Sequence, residues 1–155
     1  MPYNFRDNIS HTELLDIYNL MKLHDIRKPN FRILPDAVET PEAFVALLTA
    51  PTTKVLLSQH GIYYLTNINV DPFVAVAHCF YIDGKLFGRA REVYQLTQWA
   101  LEKYNLKRIE SYIPTYNKPA SYLLRKAGYT FEGVMRKRIL YGGKLEDIGV
   151  YAYFR

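Results

Sequence analysis

Between Phe73 and Phe154 the chain is punctuated so that strand-like and helix-like runs must alternate, which leaves few ways to fold it. Phe73–Ile82 is rich in β-branched and aromatic residues and follows the break at Asp71-Pro72. A glycine turn then precedes a run from about Gly88 to Tyr104, where Val93, Leu96, Ala100, Leu101 and Tyr104 form one helical stripe. Arg108–Ile113 reads as a strand, Pro119–Ala127 as a helix and Tyr129–Leu140 as a strand. Gly142-Gly143 then turns the chain into a last strand, Ile148–Phe154. Two helices that interrupt a sheet in this order predict a mixed α/β sandwich.

The N-terminal half is less patterned. Pro2–Ile9 reads as a first strand, and His11–His24 as a helix with Leu14, Ile17, Tyr18 and Met21 on one face. Asp25–Glu39, with prolines at 29 and 35, reads as loop. Thr40-Pro41-Glu42 is a helix start, with Thr as cap, Pro at the first helical position and an acid in the first turn. Phe44, Leu47 and Leu48 give that helix its buried face. Lys54–Ser58 and Ile62–Asn67 are strand-like, with a tight turn at His60-Gly61. No repeat, low-complexity tract or Gly/Ser linker divides the chain, so residues 1–155 are expected to form a single domain.

Composition narrows the partners. Hydrophobic residues make up 49% and charged residues 23%, an ordinary globular balance that argues against disorder. No run approaches the roughly 18 apolar residues of a membrane span, and the first residues do not read as a signal peptide. Cys79 is the only cysteine, so no internal disulfide or Cys-based metal site is expected. The plain expectation is a cytoplasmic protein, monomeric or homodimeric. Residues 1–75 carry 6 Lys/Arg against 8 Asp/Glu, whereas residues 76–155 carry 14 against 7. A basic C-terminal half suits an anionic, nucleotide-bearing ligand. The 14 tyrosines among these cations would also suit RNA, but no stacking motif of a known module occurs, and nucleic acid is not the expected partner.

Two motifs carry chemistry. Lys85-Leu86-Phe87-Gly88-Arg89-Ala90 sets small residues at the start of the long helix, where backbone N–H groups and the helix dipole can meet a phosphate. Asn117–Gly133 joins an Asn-capped helix to a strand opened by a Gly-aromatic pair, Gly128-Tyr129. Together they resemble the GNAT acetyltransferases, in particular the protein N-acetylating branch related to RimJ and RimL. That family's pyrophosphate signature is Arg or Gln, two residues, Gly, one residue, then Gly or Ala; Lys85 here takes the first place. Gly88-Arg89-Ala90-Arg91-Glu92, Arg108-Ile109-Glu110, Glu132-Gly133-Val134-Met135-Arg136, Asp147 and Tyr151 extend the likeness in order and spacing from Gly84 to Arg155. Residues 1–75 show no such pattern.

The resemblance implies a GNAT fold: a central, mostly antiparallel twisted sheet with splayed parallel strands and helices on both faces. It implies acetyl-CoA as co-substrate, no metal, and an acceptor amine, of a protein or peptide in that branch. Leu86, Phe87, Gly88, Arg89 and Ala90 would offer amides to the pyrophosphate. Cys79, Phe80 and Tyr81 would pair backbone groups with the pantetheine arm, and Asn117 would hydrogen-bond nearby. Lys85 and Arg89 would add charge, with Arg125 or Lys126 as further cations.

Catalytic positions depart from the family pattern. Many GNAT enzymes carry a Tyr seven residues after the motif Asn, here Leu124; the RimJ/RimL branch often uses a Ser three residues after it, here Ala120. Ser121 lies next door, one residue and about 100° around the helix, and is the remaining donor candidate. His78, ahead of the glycine turn, and Glu110, on the neighbouring strand, are candidates for the base. A partly buried strand histidine and a surface carboxylate are the plainer readings of the same two residues. Cys79 cannot pair with His78 directly, because adjacent strand residues point to opposite faces. Arg136 and Arg138 would share a strand face that attracts an acidic acceptor or is simply solvated. The alternative to an enzyme is a catalytically silent GNAT-fold binding or assembly protein, a repurposed virus-encoded one included.

Overall fold

The computed structural model describes residues 5–82, 85–86 and 88–155. The start of the expected first strand, Gly84 and Phe87 lie outside the described residues. The helices are α1 (His11–Arg27), α2 (Pro41–Thr49), α3 (Ala90–Lys103) and α4 (Lys118–Lys126). The strands are β1 (Lys54–Leu57), β2 (Gly61–Asp71), β3 (Val74–Tyr81), β4 (Arg108–Pro114), β5 (Thr130–Tyr141) and β6 (Lys144–Phe154). They form one sheet in the order β1-β2-β3-β4-β6-β5. Every neighbouring pair is antiparallel except β3–β4. A mixed, mostly antiparallel sheet between two helical layers is the expected architecture.

Each face of the sheet has its own core. Phe44, Leu48, Leu14, Ile17 and Met21 of α1 and α2 pack on Ile62 and Tyr64 of β2. Val93, Leu96, Leu101, Leu123 and Leu124 of α3 and α4 pack on Tyr63, Leu65, Ala75, Ala77 and Ile109. Because both sides of β2 are covered, Gly61–Leu65 is buried at every position instead of alternating. Among the described residues no helix is long and apolar enough to cross a membrane.

Several sequence expectations need correction, among them the last strand, which begins at Lys144 and not at Ile148. Among the described residues, the expected first strand is represented by an isolated bridge between Arg6 and Leu57, with Phe5 buried in the α3/α4-side core. β2 runs on to Asp71, past a register shift in which Asn67 and Asn69 take φ of 62° and 65°. Asn tolerates the left-handed region better than most side chains, and the irregularity lets β2 continue without matching β3. In β5 a second shift between Met135 and Ile139, with Lys137 at φ 46°, breaks the alternation that would have set Arg136 and Arg138 on one face. The Lys137 amide donates instead to Asp147 Oδ1 at 2.8 Å.

The α1–α2 connection is shorter and more ordered than the loop expected for Asp25–Glu39: residues 25–27 belong to α1, and Asp36–Val38 form a short 3-10 helix. α1 is opened by a Ser10/Glu13 capping box and continues beyond His24 to Arg27. The buried Asp25 carboxylate then accepts the Ile33 and Leu34 amides at 2.8 and 3.0 Å. Farther along, Asp36 accepts the Gly142 and Gly143 amides of the β5–β6 turn, and Tyr116 donates to the Arg32 carbonyl at 2.6 Å. Residues 28–40 are thus strapped to the β5–β6 turn and to the loop leading into α4.

Candidate active site

β3 and β4 are laddered only from Val74–Val76 to Arg108–Glu110. Beyond that, β3 stays paired with β2 as far as Tyr81↔Gly61, and β4 with β6 as far as Pro114↔Ile148. The two strands therefore part, leaving the inner edges of residues 77–81 and 111–114 outside any ladder between them. Ser111 marks the fork: buried, its Oγ donates to the Ala77 carbonyl at 2.8 Å. Nothing local in the sequence singles out Ser111, since the bond spans 34 residues.

The glycine turn follows one arm of the fork. Gly88 has φ 81°, and a Cβ built there meets nothing within 4 Å. The left-handed backbone demands glycine, and the open space is what a backbone-bound anion requires. α3 begins at Ala90 with no side-chain cap, so its first-turn amides have no intrahelical acceptors. The Arg89 amide is spent on the Leu86 carbonyl at 3.2 Å. Arg89 itself lies over the Tyr81 ring, 5.4 Å from its centroid, and pairs with the buried Glu92 at 3.5 Å. It braces the turn. Lys85 is exposed beside it.

Cys79, Phe80 and Tyr81 lie on the parted arm of β3. Solvent reaches Cys79, yet protein surrounds it closely enough that burial, with Glu92 adding to it, pushes its thiol up to about 12. That is an inert thiol, not a nucleophile. Asn117 sits at the far end of the other arm, where its Oδ1 accepts the Ala120 amide at 3.2 Å and caps α4. That bond leaves the Nδ2 donors.

His78 and Glu110 occupy the opposite face of the sheet, toward α1 and α2. His78 stacks on Tyr64 (centroids 4.6 Å, 9°) and its Nε2 meets Thr66 Oγ1 at 3.2 Å. Burial pushes the imidazole down to about 4, so it is neutral at physiological pH. Glu110 is fully engaged: Oε1 takes Arg108 Nε at 2.8 Å, Oε2 takes the Tyr112 hydroxyl, and Arg108 also forks onto Glu132. Burial, with the Glu110 hydrogen bond adding to it, pushes Tyr112 up to about 12. This ion-pair network ties β4 to β5 across β6, and sequence spacing did not reveal it.

Ser121 is placed apart from these groups. Its Oγ donates back to the Asn117 carbonyl at 3.2 Å, and it lines a cleft with Arg125 and Phe131. Ala120 and Leu124 lie about 100° around the helix from Ser121 and Arg125 respectively. Among the described residues no cluster of three or more His, Cys, Asp or Glu is arranged to hold a metal.

His78 carries a testable pH signature. Its folded pKa lies below the ordinary value, so protonation favours the unfolded chain. Stability should be unaffected by this group above about pH 6.5 and should fall between pH 6.5 and 4, by up to about 3 kcal/mol. Urea titrations at pH 7.5, 5.5 and 4.5 should show that loss in the parent chain, with the His78→Gln variant showing a smaller one. An NMR titration placing the His78 midpoint near 6.5 would contradict the buried-ring geometry.

The chain has the fold of the GNAT N-acetyltransferases. It overlays on a variant of the spermidine N-acetyltransferase SpeG from Vibrio cholerae with TM-score 0.75 and 15% identity, covering 97% of this chain and 94% of that one. The same enzyme with CoA and spermine gives 0.73 and 19%, over 97% and 94%. RimL, a ribosomal-protein α-N-acetyltransferase, in complex with CoA gives 0.73 and 14%, over 97% and 92%. The microcin C7 self-immunity acetyltransferase MccE, with acetyl-CoA and AMP, gives 0.72 and 16%, over 94% and 89%. No family model matches the sequence, and no curated protein matches it.

Proposed function

We propose that this chain transfers an acetyl group from acetyl-CoA to an amine, and that the amine belongs to a protein or peptide. The observation that carries the reading is the β3–β4 ladder, which stops at Val76–Glu110 beside a helix opened by a left-handed glycine. Acetyl-CoA supplies the activated acyl group. The amine nitrogen bonds to the carbonyl carbon as the C–S bond breaks, and the proton lost by the amine ends on the released thiol.

In this reading the amides of Leu86, Gly88 and Ala90 face the diphosphate, and Lys85 adds charge. The freed edge of Cys79, Phe80 and Tyr81 pairs with the pantetheine amides, and one N–H there polarises the thioester carbonyl. Arg89 holds the turn, and the Asn117 side chain contributes its amide N–H. His78, neutral, is the proton acceptor through water on the acceptor face, where Glu110, held by Arg108 and Tyr112, fixes the neighbouring strand, while positioning supplies much of the rate. SpeG is known in complex with CoA and spermine, and MccE in complex with acetyl-CoA and AMP; the likeness of this chain's own motifs to the RimJ/RimL branch supports a protein or peptide amine.

Isothermal titration with acetyl-CoA tests the first step, and thiol release across peptide, polyamine and small-amine acceptors tests the second. Saturable heat followed by peptide-dependent thiol release is expected. No heat at millimolar ligand would overturn the assignment. A second reading, a GNAT-fold protein that binds without chemistry, is favoured by Ala120 and by Leu124, which is 4% exposed in the core where the resemblance looks for a hydroxyl. CoA binding with no thiol release from any acceptor would select it.

A further inference from the structure

Beyond α4, on the flank facing β5 and β6, the molecule carries a cleft of about 370 Å³, within the usual range of small-molecule sites. Its shape follows from strand register. Ile113, Gly149 and Val134 stand side by side on β4, β6 and β5, and Phe131 stands opposite Tyr151. The side chains of Lys118, Ser121, Tyr122 and Arg125 form the α4 wall. Gly149 keeps the floor open: a Cβ there would lie 3.1 Å from the Tyr151 ring and 3.6 Å from the Phe131 ring. Phe131 and Val134 are 42% and 48% exposed, unusual for large apolar side chains sharing one concavity.

The electrostatics of the cleft are one-sided. No carboxylate lines it, and two cations do. The Arg125 guanidinium is held over Phe131 at 5.3 Å and Tyr151 at 5.9 Å, yet no hydrogen bond or ion pair engages that side chain among the described residues. A guanidinium fixed by two rings with its donors unspent is a preorganised receptor for a planar or tetrahedral anion. Arg136, Lys137 and Arg138 on the adjacent edge strand β5 extend the positive field. The same charge opposes a second copy of this chain packing face to face across β5.

We propose that this cleft is a second ligand site, separate from the fork, for a small molecule bearing an anionic group on a flat apolar body, an aromatic carboxylate being the simplest case. The ring lies on Ile113, Gly149 and Val134 against Phe131, and the acid meets Arg125 with Lys118 in support. This stands whether or not the fork binds acetyl-CoA: Arg125 and Ser121, which the resemblance had offered to the cofactor and to catalysis, line this cleft instead, and only Ile113 is shared with the parted arm of β4.

The probe is 2-naphthoate, titrated into the full chain and followed by two-dimensional NMR. Saturable shifts are expected at Ser121, Val134 and Gly149 and at the Arg125 Nε–H, with no saturable shift at Gly88 or Ala77. The neutral analogue 2-naphthylmethanol and the Arg125→Gln variant should each weaken binding at least about tenfold. Gly149→Ala should weaken it as well by filling the floor. Arg125 is exposed, so its variant should melt as the parent does. Four results would overturn the proposal: equal binding of the neutral probe, unchanged affinity in Arg125→Gln, shifts confined to the fork, or a dimer in sedimentation equilibrium whose dissociation naphthoate does not promote.

Discussion

Gly88→Val is expected to raise the dissociation constant for CoA by at least about a hundredfold while leaving the far-ultraviolet circular dichroism spectrum unchanged. Two effects add. At φ 81° a β-branched side chain is strained, costing on the order of 1–2 kcal/mol, so the turn relaxes and carries its amides away from their aim. Whatever strain remains sets the new methyls in space that is empty of protein within 4 Å, where the diphosphate is proposed to lie. About 2.7 kcal/mol of lost binding corresponds to a hundredfold. Isothermal titration of the parent and variant gives the ratio directly. An affinity within threefold of the parent would mean that the phosphates are held elsewhere.

Asp25→Ala is expected to be among the most destabilising single substitutions. The carboxylate is 2% exposed and accepts the Ile33 and Leu34 amides. Leu34 is 1% exposed, so the Leu34 amide loses its acceptor with no water at hand. Orphaning a buried donor while losing two charge-assisted bonds costs about 3 kcal/mol, which lowers Tm by roughly 6–12 °C in a chain of this size. Asp25→Asn, which keeps an acceptor oxygen for one amide, should fall between. Hydrogen exchange at Ile33 and Leu34 should quicken in both variants, because the strap is pinned there. A Tm within 2 °C of the parent would show that residues 28–40 are ordered by other contacts, such as Asp36 on the β5–β6 turn.

Element type was legible wherever the determinant is local. The α2 start could be read from Thr40-Pro41-Glu42 because its cap bond, Thr40 Oγ1 from the Ala43 amide, spans three residues. The α3 stripe was legible because Leu96, Ala100 and Leu101 are all buried on one face at helical spacing. Asn117 could be read as a cap for the same reason. The start of α1 at His11 was legible, whereas its end was placed at His24, three residues short of Arg27. Of the expected first strand, the described residues from Phe5 onward pair with β1 only through one bridge, Arg6 with Leu57, a pairing that no local pattern sets.

Residues 84–155 by themselves determined the order of strands and helices, the glycine that admits an anion at α3 and the asparagine that caps α4. Each of these depends on backbone preferences and on neighbours within one helical turn. Only the tertiary structure decided where β3 and β4 part, that Ser111 pins the fork, that Asp25 orders the strap, and that Arg125 stands over Phe131 beside a floor opened by Gly149. Those features depend on register and on contacts between residues far apart in the chain. A one-residue slip of a strand would move its side chains to the other face, and no local pattern sets that register by itself.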